Sequence, residues 1–344
     1  MAKYRFDQVA RECRTTFKGD KNGMPIVGLE HIVPNEMLVR DFEVDTENTF
    51  TKSFKQGQIL FGRRRAYQQK AGVAQFDGIC SGDITVIEAI PGKIEPNLLP
   101  FIVQNEQFFE HAVQGSAGSL SPRVKWEHLA SYEIELPTME KQRVLANKLW
   151  TAYRLKESYK KLLAATDEMV KSQFIEMFGG EKYPLVRLGQ YTNLNWGDTK
   201  TTKASYVLSG YQAYSASGPD GLLDHYDYDC EGIVLSAIGA DCGKTWFAKG
   251  KWSCIKNTIR FWSISNELDN AFLFFATNKK EFWPRRGGAQ PFIPQGDARN
   301  CTIPLPPMDQ QQQFVSIAEQ ADKSKLTGHC LICVLNKGIS KLIN

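Results

Sequence analysis

Histidine is scarce in this chain. There are five, His31, His111, His128, His225 and His329, and none falls in an HExxH arrangement, which removes the commonest helical zinc-enzyme pattern. Long apolar runs are missing too. The longest, AFLFFA at 271–276 and CLICVL at 330–335, fall far short of the ~20 residues a membrane-spanning helix needs, so no membrane role is expected. The opening MAKYRFDQVA has no apolar core and no small-residue cleavage site, so a secretory signal is not expected and the expected compartment is the cytoplasm. The eight cysteines are scattered, and only Cys330 and Cys333 form a CxxC. A structural zinc needs four ligands, usually from two such pairs, so no metal site is expected; in a reducing compartment no disulfide framework is expected either. The net charge of +4 is small, and no segment is a basic tail. Binding to nucleic acid would have to come from local patches rather than bulk charge.

What the chain has instead is a repeated phrase. IELPTMEKQ begins at Ile134, and IPLPPMDQQ begins at Ile303. Leu136/Leu305, Pro137/Pro306, Met139/Met308, Glu140/Asp309 and Gln142/Gln311 align position for position. In each copy three alternating residues (Tyr132, Ile134, Leu136; Cys301, Ile303, Leu305) fit a short strand, and a proline stops it. An acid then stands where the positive end of a helix would favour it. Each copy reads as strand, sharp turn, helix start. Other segments repeat as well: Gln58-Ile59-Leu60-Phe61 with Gly232-Ile233-Val234-Leu235, Ile79-Cys80 with Ser253-Cys254, Asp83 with Asn257, and the glycine loops starting at Gly115 and Gly287. The chain is therefore a tandem duplication.

Each half carries short β-type runs between turn residues and one helical stretch, predicted at 97–111 and 270–283, which gives an α+β class. From Met139 to Phe178 there is no proline or glycine, and Gly179-Gly180 supplies a C-cap signature. Leu145, Leu149, Ala152, Tyr159, Leu163 and Val170 keep helical spacing; Leu155, Leu162 and Met169 form a neighbouring heptad stripe. About 40 residues make a rod of roughly 60 Å. Such a rod wants a partner helix, and the last segment, with Phe314, Ile317 and Ala321, is the candidate, although Gly328 and Gly338 weaken it. The expected divisions are 1–137, 138–182, 183–306 and 307–344.

Two β-rich parts, each followed by the LPxM-[ED]-x-Q phrase and a long helix, resemble the specificity subunit of Type I restriction-modification enzymes. The resemblance implies a pseudo-twofold pair of target-recognition domains, each reading one half of a split site on double-stranded DNA. It also implies that the two helices pair as an antiparallel coiled coil, act as a spacer and dock two methyltransferase (modification) subunits, with motor-nuclease (restriction) subunits completing the complex. Met139, Glu140, Gln142, Met308, Asp309 and Gln311 become the candidates for the partner face. No cofactor is expected in this chain; S-adenosylmethionine, ATP and Mg would belong to the partner subunits. Consistent with that division of labour, the chain has no glycine-rich methyltransferase loop, no Asn/Asp-Pro-Pro-aromatic motif and no nuclease carboxylate pair. The alternatives are a recognition subunit of another multi-subunit defence or modification system, and a nucleotide hydrolase built on Gly239-Ala-Asp-Cys-Gly243-Lys244-Thr245. That loop has three residues between its glycines where a P-loop has four.

The sharpest basic run is Arg63-Arg64-Arg65, followed by Tyr67, Gln68 and Lys70, in a loop after a strand-like run. Arginine forks onto guanine or grips phosphate, and glutamine pairs with adenine. Ser119, Arg123 and Lys125 in the first glycine loop join it as DNA-contact candidates. In the second half the candidates are Lys200, Lys203, Tyr211, Tyr214, Ser215, Lys244, Trp246, Arg285, Arg286 and Gln290. The competing reading of the arginine run is a solvated loop whose cations pair with nearby acids.

Overall fold

The computed structural model describes residues 2–343. The chain divides into two compact units, 1–159 with 329–344, and 160–328, and the division runs through both long helices. The helices are α1 (Leu99–Val103), α2 (Glu106–Gln114), α3 (Trp126–Ala130), α4 (Met139–Phe178), α5 (Leu188–Tyr191), α6 (Asn270–Thr277), α7 (Gln295–Asn300) and α8 (Met308–Ile343).

The first unit centres on a five-stranded sheet with Ile84–Ala89 and Ile59–Gly62 in its interior. Residues 59–62 and 84–87 of these strands are buried without alternation because both faces are covered. Ile59 and Phe61 point into the cluster that also holds Phe101, Phe108 and Phe109 of α1 and α2. Leu60, between them, points the other way, into a cluster with Val27, Phe54 and Ile84. The second unit repeats the device: Ile233 and Leu235 face the cluster with Phe272 and Phe314, and Val234 faces Trp252.

Each unit closes by pairing its first strand with the strand of the repeated phrase. Ala2–Arg5 runs antiparallel to Glu133–Leu136 with Tyr4 opposite Ile134. Leu185–Arg187 runs antiparallel to Thr302–Pro304 with Val186 opposite Ile303. Strand, turn and helix start follow as expected. The helical stretch predicted at 97–111 is instead broken at Gln104-Asn105, because the Asn105 side chain accepts from Gln107 N and caps a new helix. Gly328 does not weaken α8, which is continuous; a Cβ there would lie 3.0 Å from Leu163 Cδ2, so the glycine permits the close approach of α8 to α4 in the second unit. There the two helices run antiparallel, with Lys325 on Asp167 at 2.8 Å and Phe314 against Phe174 at 5.3 Å between ring centroids. Among the described residues no helix is long and apolar enough to cross a membrane.

Burial pushes the thiols of Cys80 and Cys254 up to about 12 and that of Cys301 to about 11. Cys330 and Cys333 are exposed. Because the thiolate is the nucleophile, iodoacetamide at pH 8 is expected to label Cys330 and Cys333 first and Cys80 and Cys254 only after unfolding. Peptide mapping that finds Cys80 or Cys254 in the fast class would contradict this packing.

Candidate nucleic-acid interface

In the first unit the arginine run leaves the end of the Ile59–Gly62 strand and meets the short hairpin of Ser116–Ala117 and Arg123–Val124. Arg63 N donates to Asp83 O at 2.9 Å, Arg65 N donates to Pro122 O at 2.8 Å, and Val124 N donates to Arg63 O at 3.0 Å. One carboxylate, Asp83, gathers the cations. Arg123 donates to it through Nε at 2.6 Å and Nη2 at 3.1 Å, and Arg64 Nη1 lies 3.6 Å away. The Arg123 hydrogen bonds, offset in part by burial, hold the Asp83 carboxyl below the usual carboxylate range. Arg64 Nη2 also donates to Ser121 Oγ at 3.0 Å. The Nε atoms of Arg63, Arg64 and Arg65 are buried without a hydrogen-bond partner, so the protein does not satisfy these guanidiniums completely. Next to the cluster opens a cleft of about 770 Å³, lined by Arg14, Lys52, Arg63, Asp83, Lys125 and Trp126.

Ser119, Arg123, Lys125 and Tyr67 are exposed, and Gln68 is half-buried. Lys70 adjoins the run through its backbone, its carbonyl accepting from Gly62 N at 2.8 Å, but its ammonium turns away. It is half-buried and its Nζ donates to Leu29 O at 2.6 Å, so its charge secures the 28–31 turn instead of facing outward. The hairpin is held at its base by two imidazoles. His111 and His128 stack at 4.2 Å, and each Nε2 bonds the other residue's backbone carbonyl, at 2.8 and 2.7 Å.

In the second unit the equivalent hairpin is made by Arg286 and Phe292, with Gly287, Gly288, Ala289 and Gln290 at its tip. Arg285, Arg286 and Gln290 are exposed there, and Arg286 pairs with Asp297 at 2.7 Å. Lys200 and Lys203 are exposed, Lys203 pairing with Asp220; Lys244 is exposed and pairs with Asp241. Exposed pairs of this kind contribute about 0–1 kcal/mol, so these cations are easily recruited by a phosphate. Three candidates face inward and are corrected. Tyr214 and Ser215 are buried in a sheet strand, and Ser215 Oγ donates to Asp220 at 2.8 Å. Trp246 is half-buried in the cluster around Trp252 and lies so close to Gly218 that a Cβ there would meet its ring at 2.9 Å. The candidate Tyr211 lies on an exposed aromatic edge whose other members the sequence does not mark: Tyr226 meets Tyr211 at 4.9 Å, and Lys251 sits 4.7 Å over the Tyr226 ring. The Gly239–Thr245 loop is a turn between two antiparallel strands, with no helix after Lys244-Thr245 to receive phosphate.

The repeated phrase resolves differently from expectation at one position per copy. Gln142 and Gln311 are buried and do not form a partner face. Gln142 Oε1 accepts from Glu95 N at 3.0 Å and its Nε2 donates to Pro137 O at 2.9 Å. Gln311 Oε1 accepts from Asp269 N at 2.9 Å and its Nε2 donates to Glu267 O at 2.7 Å and Pro306 O at 2.8 Å. Each amide ties its own helix start to the turn before it and to the loop leading into α1 or α6. Glu140 and Asp309 are exposed, and Met139 and Met308 are half-buried. Leu155, Leu162, Met169 and Ile175 on α4 and Leu326 on α8 are exposed apolar residues. Among the described residues no three His, Cys, Asp or Glu side chains are placed to hold a metal ion.

A family model described as the Type I restriction modification DNA specificity domain matches the chain twice, over residues 8–166 and 171–330. The Type I restriction enzyme EcoDI specificity subunit of Escherichia coli is 23% identical over 52% of this chain and 41% of its own length. The Type I restriction enzyme MjaVIII specificity subunit of Methanocaldococcus jannaschii is 25% identical over 48% of this chain and 43% of its own. The aligned segments thus span about two-fifths of these relatives. Among solved structures, the Type I restriction-modification S subunit from M. genitalium superposes with a TM-score of 0.67 at 13% identity, covering 99% of this chain and 94% of that one. A chain from work on complex assembly and conformational transition of the type I R-M system superposes at 0.59 with 16% identity, covering 99% and 96%. At such identities these superpositions establish the shared fold.

Proposed function

Because the chain belongs to the Type I restriction modification DNA specificity domain family, we propose that it is the DNA-recognition subunit of a Type I restriction-modification complex. Each unit reads one half of a split duplex target. Base contacts specify the sequence and scattered Lys and Arg contacts to phosphate set the register. The observation that carries the reading is the repetition itself: one fold, twice, each copy ending in a hairpin with basic side chains. The helices fix the spacing between half-sites and dock two methyltransferase subunits. The exposed Leu162, Met169 and Ile175 of α4 support that docking, since apolar side chains on a helix surface are best covered by a partner. The chemistry is assigned to partner subunits in the cytoplasm: an adenine flipped out of the duplex and methylated with S-adenosylmethionine, and unmodified DNA cut by an ATP- and Mg-dependent motor-nuclease.

The test is a methylome. The chain is co-expressed with a cognate methyltransferase subunit in a methylation-free host, and methyladenine is mapped by single-molecule sequencing. The expected result is a split motif that disappears when this chain is omitted. Arg64→Ala or Arg65→Ala is expected to relax one half of that motif and leave the other intact. Methylation that persists without this chain, or equal loss on both halves, would overturn the assignment.

A further inference from the structure

The loops that meet at the two hairpins share a backbone and differ in side chains. The three main-chain bonds that frame the first (Arg63 to Asp83, Arg65 to Pro122, Val124 to Arg63) recur in the second. There Ala237 N donates to Asn257 O at 2.9 Å, Gly239 N to Pro291 O at 3.0 Å, and Ile293 N to Ala237 O at 2.8 Å. The bridge Arg64–Arg123 recurs as Ile238–Phe292. Arg63-Arg64-Arg65, Asp83 and Arg123 thus occupy the places of Ala237-Ile238-Gly239, Asn257 and Phe292. Gly118 matches Gly287, so the glycine loops align one turn later than the sequence suggested. Arg65 holds a left-handed backbone, φ 55°, where the second unit uses Gly239 at φ 109°. An arginine kept where glycine is the relaxed choice points to a role for its side chain. The scaffold is constant where it makes shape, and the side chains it carries at these matched positions differ between the two units.

Within this scaffold Arg123 has a particular geometry. Its Nε and Nη2 make a side-on pair with Asp83, which uses two of the five guanidinium protons. The end-on edge, Nη1 with the second Nη2 proton, is left over, and nearly half of the side chain is exposed. A side-on carboxylate therefore fixes the rotamer and presents the fork outward. Arg64 is less suited: it lies farther from Asp83 and spends Nη2 on Ser121. A rigid end-on fork matches the paired O6 and N7 acceptors of guanine in the major groove, and no other base offers both.

We infer that Arg123, buttressed by Asp83, reads a guanine in the half-site recognised by the first unit, with Asp83 as its positioning residue. The inference rests on the DNA-recognition reading above and adds to it a residue and a base. Ordering the fork before binding reduces the entropy lost on contact, so both partners of the pair should matter to discrimination.

The test compares motifs from wild type, Arg123→Lys, Asp83→Asn and Asp83→Glu, each co-expressed with the methyltransferase subunit. Lysine keeps the charge but has no fork. In the wild-type motif, one G·C pair is expected in the first unit's half. In Arg123→Lys and Asp83→Asn that single position is expected to become degenerate, with discrimination falling roughly ten- to hundredfold. Asp83→Glu, which retains a carboxylate, is expected to restore part of it. The other half-site, read in the same molecules, should stay unchanged and so reports that the chain is folded. A wild-type motif whose corresponding position is unchanged in both Arg123→Lys and Asp83→Asn would overturn this inference and leave the recognition role standing. A wild-type complex that gives no motif dependent on this chain would overturn both.

Discussion

Phe314→Ala is expected to destabilise the second unit by about 3–5 kcal/mol. Phe314 is fully buried on α8, and its ring meets Phe174, Phe178 and Phe275 at 5.3, 5.6 and 5.6 Å between centroids. It is the point where α8, α4 and α6 share one core. Truncation removes the transfer free energy of a phenyl group and leaves a void that three helices cannot collapse to fill. For a unit of this size the change corresponds to a fall in melting temperature on the order of 10 °C. Five of the seven tryptophans, Trp196, Trp246, Trp252, Trp262 and Trp283, lie in the second unit, with Trp126 and Trp150 in the first, so tryptophan fluorescence during urea unfolding is weighted toward the second unit. A midpoint within a few tenths molar of wild type would mean that α8 is not packed as described.

The contrast between what was legible and what was not follows the range of the interactions. The strand–turn–helix phrase was legible because its determinants are local: alternation, a proline stop and an acid at the helix start. The unbroken α4 was legible because nothing between Met139 and Phe178 opposes a helix. Tyr214 and Ser215 were misplaced because composition marks them as polar, whereas the sheet decides which way they face. Gly328 was misjudged because propensity counts a glycine against a helix, and only packing reveals that Leu163 needs the space. In the sequence Asp83 shows only as the counterpart of Asn257 in the repeat. Its role depends on bringing together residues 64, 83, 121 and 123, which no local pattern encodes. The two glutamines carried a signal that was overlooked. Gln142, Leu145, Ala146 and Leu149 share a helical face, as do Gln311, Phe314, Ala318 and Ala321, and a polar residue on an apolar stripe should be assigned buried partners.

Gln311→Ala is the more informative of the two glutamine substitutions. It leaves Asp269 N, Glu267 O and Pro306 O without their partner, and Asp269 is the cap of α6 through its own side chain, which accepts from Phe272 N. Buried polar groups left unsatisfied cost about 1–3 kcal/mol each, and solvent entering at the loop relieves part of that, so a net loss of about 3 kcal/mol is expected. Gln142→Ala in the first unit strands fewer groups, Glu95 N and Pro137 O, and should lose about 2 kcal/mol. Gln→Glu at either site keeps the acceptor for the loop N–H but turns the donor into an oxygen facing carbonyls. It should therefore be as damaging as alanine near neutral pH and recover as the introduced carboxyl protonates. The two sites lie in different units with no shared partner, so their effects on the chain should add. Urea unfolding of the two single variants and the double variant measures this directly. If both alanine variants kept wild-type stability and instead lost binding to the methyltransferase subunit, the glutamines would belong to the docking face after all.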